Sequence, residues 1–280
     1  MVIKDSSKNF VVEPKELLDK INSKKKIRII DARWYLSEKK KGLTEYKRYH
    51  LEGAIFFDID EISNKSSSLP HMLPTKEEFS EFAENNDLKR NSEIVIYDQV
   101  GFFSSSRVWL TFKHFGFKNI KILNGGIKNW KKQKFPLTKS IKEFKKTKFK
   151  CPNILSKKII NKTQIEEVLK NNKYYRIVDA RPKERFLGIF KEPRPNLRKG
   201  NIPSSLNIPF DMISKNGFLK SVKELKKIIS QDNNLKIKDN IICYCGSGIT
   251  ACNIIFTLNI LGYKKVKLYD GSWAEWGKKK

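Results

Sequence analysis

Short apolar runs of the length of a buried strand recur along the chain, separated by polar stretches and by longer patterns of helical type. Six of these runs form three pairs, with one member in each half of the sequence. The pairs are 27–33 with 176–181, 93–98 with 240–245, and 120–126 with 266–271. The members of each pair lie about 148 residues apart, so the sequence predicts two copies of one module.

Both copies have the same order of predicted elements. A strand is followed by a polar stretch, a helix, a second strand, a tight loop, a second helix and a third strand. This alternation is typical of parallel strands joined by crossover helices on both faces of a sheet. We therefore predict an α/β protein with two tandem domains, each a mostly parallel sheet flanked by helices.

The two copies also set the predicted domain boundaries. The first domain is expected at residues 1–137 and the second at 159–280, joined by a linker at 138–158. The linker is rich in lysine, follows Pro136, contains Pro152 and has no sustained periodicity. A chain of 280 residues with 39% hydrophobic content is sufficient for two separate cores.

Composition favours a protein that acts away from membranes. No window approaches about 18 uncharged apolar residues, and the opening MVIKDSSKNF lacks the apolar segment of a signal peptide. The four cysteines are too few and too clustered for a disulfide framework, and none of them forms a C-x-x-C pair. We expect a soluble, unexported protein with reduced thiols in the cytoplasm.

The formal charge of +28 raises the possibility of nucleic acid or an anionic membrane as a partner. The basic residues are mostly lysines that are spread along the whole chain, without an Arg-rich helix or a patch interleaved with aromatic residues. A compositional bias toward lysine explains this pattern better, and no nucleic-acid partner is expected.

The strongest chemical candidate is Cys245, at the end of the apolar run 240–245. The loop Cys245-Gly246-Ser247-Gly248-Ile249-Thr250 follows, and a helical pattern then begins. Two glycines are expected to let the loop adopt positive φ and turn its backbone N–H groups inward, where they and the helix N-terminus form a nest for negative charge. A thiolate or persulfide on Cys245 would be stabilised there.

The other cysteines lack this context. Cys243 lies within the apolar run and Cys252 within the following helix, so both are predicted to be structural. In the first copy Asp98 occupies the position of Cys245, so that copy has no thiol at the end of the equivalent run. The segment 99–103 has no Gly-x-Gly pattern and is expected to lack the nest, so the first domain is predicted to be catalytically silent.

The second half resembles the 3-mercaptopyruvate sulfurtransferases, the two-domain rhodanese family. The loop 245–251 is similar to the active-site loop of that family, and 268–276 is similar to its C-terminal signature. The resemblance extends through 53–60 and 69–74 in the first half and 192–200 in the second, and thus covers nearly the whole chain.

The resemblance implies an enzyme in which the thiolate of Cys245 attacks the sulfur of 3-mercaptopyruvate. Pyruvate leaves, and the persulfide passes its outer sulfur to a thiol, such as that of thioredoxin, or to cyanide. No metal and no organic cofactor is implied.

It also assigns roles around the nucleophile. The substrate carboxylate requires a cation, and Arg185 matches the family position for it. Arg194 or Arg198 is expected to supply a second charge, because Pro203 interrupts another family arginine motif. The loop residues expected to line the substrate site are Gly246, Gly248, Ile249 and Thr250.

Family proposals join Ser247 to a histidine and an aspartate that match His71 and Asp60. The loop position supports a catalytic Ser247 independently, whereas sequence spacing does not support Asp60 or His71. A structural histidine remains an alternative for His71. Arg33 and Arg181 follow Asp31 and Asp179 in both copies, and this duplication into the silent copy favours a structural role.

Three other functions compete with this interpretation. A Cys-x5-Arg phosphatase is disfavoured because the required arginine is replaced by Ala251. A thiosulfate:cyanide sulfurtransferase typically carries Arg and Lys where this chain has Gly246 and Ser247. A non-catalytic sulfur carrier or scaffold is disfavoured by the intact loop together with Arg185.

Overall fold

The computed structural model describes residues 6–38, 40–152, 158–171 and 174–279. The chain divides into two compact units. The first consists of Met1–Asn64, Leu73–Ser156 and Ser214–Leu219, and the second of Lys65–Met72, Lys157–Ile213 and Lys220–Lys280. Of the predicted linker, 153–157 lie outside the described residues, as do 1–5, 39, 172–173 and 280 of the two predicted domains.

The first unit is built on a parallel sheet of five strands in the order β1-β5-β4-β2-β3. Its strands are β1 (Val11–Val12), β2 (Ile27–Asp31), β3 (Ala54–Phe56), β4 (Glu93–Tyr97) and β5 (Ile120–Leu123). Its helices are α1 (Pro14–Asn22), α2 (Lys41–Arg48), α3 (Lys76–Asn85), α4 (Ser105–His114) and α5 (Gly126–Lys132).

Burial explains the apolar strands of this unit. Ile29, Ile30 and 94–97 are almost completely buried, as expected for strands covered by helices on both faces. Helix α3 begins at a capping box, in which the Thr75 hydroxyl accepts from the backbone of Glu78 and the Glu78 carboxylate accepts from the backbone of Thr75.

The part of the predicted linker that the structure describes is extended and packs on the first unit. Residues 139–152 contain neither helix nor strand. The backbone N–H of Thr147 donates to the carbonyl of Glu84 at 3.0 Å, and the Phe149 ring stacks on Phe117 at 5.7 Å. This stretch is therefore held by specific contacts.

The second unit repeats the arrangement with the strand order β6-β12-β11-β7-β8, again entirely parallel. Its strands are β6 (Ile159–Ile160), β7 (Tyr175–Asp179), β8 (Leu206–Asn207), β11 (Asn240–Tyr244) and β12 (Val266–Tyr269). Its helices are α6 (Lys162–Asn171), α7 (Lys183–Phe186), α8 (Val222–Lys226), α9 (Ala251–Ile260) and α10 (Ser272–Trp276). An antiparallel hairpin of β9 (Ser214–Lys215) and β10 (Phe218–Leu219) belongs to the first unit.

This topology confirms the predicted α/β fold with a mostly parallel sheet in each half. It also explains why the candidate site residues lie at one edge of the sheet in the second unit. Strands β7 and β11 are adjacent and in register, with Tyr244 opposite Asp179. Their carboxyl ends therefore meet, and the loops that follow them lie side by side.

The repeated Asp-Ala-Arg motif acts as a buried brace in each unit. The guanidinium of Arg33 donates to the Asp31 carboxylate and to the carbonyl of Tyr49 at 2.8 Å. Arg181 does the same with Asp179 and the carbonyl of Gly200 at 2.7 Å. Both arginines are 1% exposed, which supports the structural role predicted from their duplication.

Within the described part of the chain, no helix has both the length and the apolar character needed to cross a bilayer. The same residues contain no group of three or more His, Cys, Asp or Glu side chains arranged to hold a metal ion.

Candidate active site

Cys245 lies at the turn between strand β11 and helix α9, as its sequence context predicts. The residue is only 2% exposed. Helix α10 holds the first two residues of the loop from the other side, because Trp273 N–H donates to the Cys245 carbonyl at 2.9 Å and Ala274 N–H donates to that of Gly246 at 2.8 Å. The signature 268–276 thus contributes directly to the shape of the loop.

The two loop glycines have different roles, which corrects the expectation that both adopt positive φ. Gly248 does so, at φ +76°. Gly246 is not among the residues with positive φ, and its role is to leave space where another residue would have a side chain. A β-carbon built on Gly246 would lie 3.1 Å from Nη2 of Arg185 and 3.6 Å from Nη1 of Arg194. Two guanidinium groups therefore approach the residue that follows the nucleophile.

Arg185 lies on the short helix α7 and is held by a residue that the sequence interpretation missed. Its Nε donates to Oε1 of Glu192 at 3.2 Å, and its Nη2 donates to Oε2 of the same carboxylate. Oε1 of Glu192 also accepts from Nη1 of Arg181 at 2.8 Å. The Glu192 side chain is 2% exposed, so Arg185 is anchored through a buried carboxylate to the structural Arg181.

Arg194, rather than Arg198, lies at the loop. Nη2 of Arg194 donates to the Ser247 hydroxyl at 3.2 Å. Nη2 of Arg198 donates instead to the carbonyl of Trp276 at 2.9 Å. The two arginines were open alternatives in the sequence, which could not show which of them faces the loop.

Ser247 meets His71 within the second unit. Nδ1 of His71 lies 2.9 Å from the Ser247 hydroxyl and 3.5 Å from Nη2 of Arg194. His71 is half-buried and has φ +60°, an uncommon value for a residue with a side chain. The contact favours a functional role for His71 over a purely structural one.

The structure places Asp60 in the first unit. Its carboxylate oxygens accept from Nε1 of Trp34 at 3.1 and 3.2 Å. A catalytic role for Asp60 stays a prediction.

The last two loop residues are partly structural. Ile249 is 2% exposed, and its carbonyl accepts from Cys252 N–H at 3.1 Å. Thr250 is half-buried, and its carbonyl accepts from Asn253 N–H at 3.1 Å. Their backbones thus begin helix α9, and their part in substrate binding stays a prediction.

The other three cysteines have no comparable setting. Complete burial raises the pKa of Cys243 well above its ordinary value. Cys252 is fully buried and donates to the carbonyl of Gly248 at 3.1 Å. Burial also raises the pKa of Cys151, which lies in the first unit. All four cysteines are free of disulfides.

The equivalent loop of the first unit contains a complete anion nest, which corrects the expectation that it has none. The carboxylate of Asp98 is fully buried and accepts five backbone N–H groups at 2.5–3.0 Å. The donors are Val100, Gly101, Phe103, Ser104 and Ser105. The fold therefore brings these five amides together although their loop contains a single glycine, Gly101, at φ +120°. In the first copy the carboxylate of Asp98 occupies the nest. The second copy has the Cys245 thiol at the position of Asp98.

Comparison with known families identifies this double module. The model of the Rhodanese-like domain matches the chain twice, at residues 13–133 and 161–279. The chain belongs to the rhodanese family.

The rhodanese relatives that match over most of the chain are named for two different sulfur donors, thiosulfate and 3-mercaptopyruvate. The thiosulfate sulfurtransferase of Mus musculus is 36% identical over 256 residues, which are 89% of this chain and 84% of that one. The 3-mercaptopyruvate sulfurtransferase of Homo sapiens is 34% identical over 255 residues, again 89% and 84%. The crystal structure of SseA from Escherichia coli, described as a 3-mercaptopyruvate sulfotransferase, superposes with a TM-score of 0.83 at 32% identity and covers 95% of this chain and 99% of its own.

These relatives confirm the predicted tandem rhodanese architecture and the predicted enzyme class, a sulfurtransferase. The family acts on a sulfur donor and a thiol-type acceptor. Relatives named for thiosulfate and relatives named for 3-mercaptopyruvate are almost equally similar to this chain, so their names do not distinguish the two donors.

Proposed function

We propose that this protein transfers sulfane sulfur from 3-mercaptopyruvate to an acceptor thiol through a persulfide on Cys245, with release of pyruvate. The observation that carries the proposal is the approach of Arg185 and Arg194 to Gly246, the residue after the nucleophile. Two fixed guanidinium groups beside a neutral loop suit a donor whose carboxylate lies a few atoms from its reacting sulfur.

In the first step the Cys245 thiolate attacks the donor sulfur. An S–S bond forms, the C–S bond of the donor breaks, and its electron pair leaves as the enolate of pyruvate. The proton that the donor thiol carried is transferred to the methylene carbon of this enolate, which gives pyruvate. The products are pyruvate and a deprotonated persulfide on Cys245, so no external oxidant is needed.

Ser247 and His71 are suited to move that proton. A hydroxyl can donate and accept in the same step, and the histidine beside it can take up and return a proton. Arg194, which donates to the same hydroxyl, would bind the substrate carboxylate or carbonyl oxygen as the charge develops. Arg185 would bind the carboxylate.

The silent copy supports a specific account of persulfide stabilisation. In the first unit five loop amides surround the Asp98 carboxylate. The loop after Cys245 likewise leads into a helix, and the amides that would take the same part are those of Ser247 to Ala251, because Cys252 N–H already donates to the Ile249 carbonyl. They would hold the negative outer sulfur until an acceptor thiolate attacks it and Cys245 leaves as the thiolate.

The second candidate is a thiosulfate sulfurtransferase, which the mouse relative's name favours. Thiosulfate is a compact dianion that benefits from cations directly beside the reacting thiolate. The residues next to Cys245 are the neutral Gly246 and Ser247. We therefore expect 3-mercaptopyruvate to be preferred by more than about tenfold in kcat/KM.

A steady-state comparison of the two donors tests this proposal. The double variant Gly246→Arg, Ser247→Lys should shift the preference toward thiosulfate, because it places cations beside the sulfur. Equal use of both donors by the wild type would leave sulfur transfer intact and overturn the assignment of 3-mercaptopyruvate.

The remaining proposals concern partners and place. Thioredoxin or cyanide is proposed as the acceptor of the sulfur. The first domain is proposed to be catalytically silent. The cytoplasm is proposed as the compartment, a location supported by four free thiols. One relative, from Arabidopsis thaliana, is named as mitochondrial. Localisation of a fluorescent fusion of the full chain would distinguish cytoplasm from mitochondria.

A further inference from the structure

Ser272 makes a contact with the nucleophile that no part of the proposed mechanism uses. It is the first residue of helix α10 and is fully buried. Its hydroxyl accepts from the backbone N–H of Cys245 at 3.2 Å and donates to the carbonyl of Tyr269 at 2.9 Å. With the bond from Trp273 N–H to the Cys245 carbonyl, both polar backbone groups of Cys245 are tied to the start of this helix.

The backbone conformation of Ser272 is one that glycine adopts in the other copy. Ser272 has φ +51°, and Gly126, at the start of helix α5 in the first unit, has φ +57°. The two positions correspond, because Ile127 N–H donates to the Asp98 carbonyl at 3.0 Å just as Trp273 N–H donates to that of Cys245 at 2.9 Å.

The first copy has no room for a side chain at this position. A β-carbon on Gly126 would lie 2.5 Å from the backbone nitrogen of Gly101 and 2.7 Å from the carbonyl oxygen of Asp98. The catalytic copy keeps the left-handed conformation and nevertheless carries a serine, at a cost that glycine would avoid. Residues in unfavourable backbone conformations concentrate where function requires them.

We infer that Ser272 is a positioning residue for Cys245. The Ser272 hydroxyl fixes the backbone of Cys245, so rotation of the side chain is the main motion left to the sulfur. The sulfur is thereby kept aligned with the donor. This inference rests on the proposed persulfide chemistry. It assigns a role to the serine of the segment Gly271-Ser272-Trp273, beyond the packing of the segment's tryptophan.

Two substitutions separate positioning from folding. Ser272→Gly removes the hydroxyl and relieves the backbone cost, and Ser272→Ala removes the hydroxyl and keeps the cost. We expect both to lower kcat and the rate of Cys245 alkylation by iodoacetamide by about tenfold, with the KM for 3-mercaptopyruvate nearly unchanged. The Tm of Ser272→Gly should stay close to that of the wild type, because the relieved backbone cost offsets the loss of the acceptor for Cys245 N–H.

Ser230→Ala is the matched control. It removes a hydroxyl from the same unit, one that contacts Tyr263 at 3.1 Å, and should retain wild-type kcat and alkylation rate.

Wild-type kcat and alkylation in Ser272→Gly would overturn the inference, and so would a fall in kcat that is matched by a fall in Tm, since that would indicate a folding role. If Ser272→Ala does not fold, Ser272→Gly alone decides. Failure of the wild type to form a persulfide would instead contradict the proposed function, so the two failures are distinguishable.

Discussion

The hydroxyl of Ser247 lies 2.9 Å from Nδ1 of His71, and Nη2 of Arg194 donates to the same hydroxyl at 3.2 Å. An arginine only donates, and Nη2 of Arg194 also lies 3.5 Å from Nδ1 of His71, so Nδ1 is placed as an acceptor and the Ser247 proton can be directed to it. Nδ1 is then an acceptor, and the ring proton of a neutral His71 is on Nε2. Ser247 is thus polarised between a cation and a base.

This relay predicts strong coupling between its two members. Ser247→Ala and His71→Gln should each lower kcat for 3-mercaptopyruvate by about 100-fold, and the double variant should be little worse than either single one. Steady-state kinetics of the three variants measure the coupling, and His114→Gln should retain wild-type kcat as a control. Fully additive losses would show that Ser247 and His71 act independently.

A second prediction concerns the anchored arginine. Arg185→Ala should raise the KM for 3-mercaptopyruvate by about 10- to 100-fold, because a charge-assisted contact to the carboxylate is lost, and should affect thiosulfate less. Glu192→Gln should show a smaller rise with the same donor selectivity, since the guanidinium stays but its orientation is weakened. Lys199→Ala removes a positive charge from a nearby segment and controls for overall charge. An equal change for both donors in Arg185→Ala would argue against carboxylate recognition.

Cysteine replacement provides a third prediction. Because burial raises the pKa of Cys243 and Cys151, both remain protonated at neutral pH and should react with iodoacetamide much more slowly than Cys245. Cys151→Ala, Cys243→Ala and Cys252→Ala should each retain transfer activity, although the two variants in the second-unit core should lose about 1–2 kcal/mol of unfolding free energy. Loss of transfer in any of these folded variants would implicate a second thiol.

The nest around Asp98 gives a fourth prediction. Asp98→Ala should destabilise the protein by at least about 2 kcal/mol in denaturant unfolding, because five buried N–H groups lose their acceptor, and Asp98→Asn should cost less. The double variant Asp98→Cys, Cys245→Ser should transfer no sulfur. The nest is present in the first copy, but Gln99 and Val100 replace Gly246 and Ser247. Measurable transfer would show that the nest alone is sufficient.

The sequence was sufficient for the features that depend on local pattern. Apolar runs and the repeat predicted both parallel sheets, and the turn from strand to helix singled out Cys245. The nest around Asp98 was missed because amides converge through the backbone of the fold, which needs only Gly101 at positive φ. The Gly-x-Gly pattern after Cys245 was a misleading sign of positive φ at both glycines, because Gly246 instead provides space for two arginines.

Contacts between distant residues could not be read from the sequence. His71 and Ser247 are 176 residues apart, and only the folded second unit brings them together. Glu192 was noted only as the first residue of the segment 192–200, and its burial between Arg181 and Arg185 depends on the loop after β7. The conformation of Ser272 has no sequence signal, because serine is common at helix starts with ordinary φ.

The persulfide on Cys245 is tested most directly by mass spectrometry of the full chain after reaction with 3-mercaptopyruvate in the absence of an acceptor. We expect an added mass of about 32 Da, located on the peptide that contains Cys245, absent in Cys245→Ser and removed when a thiol acceptor is supplied. Pyruvate released without any adduct on that peptide, or an adduct that persists in Cys245→Ser, would contradict the account.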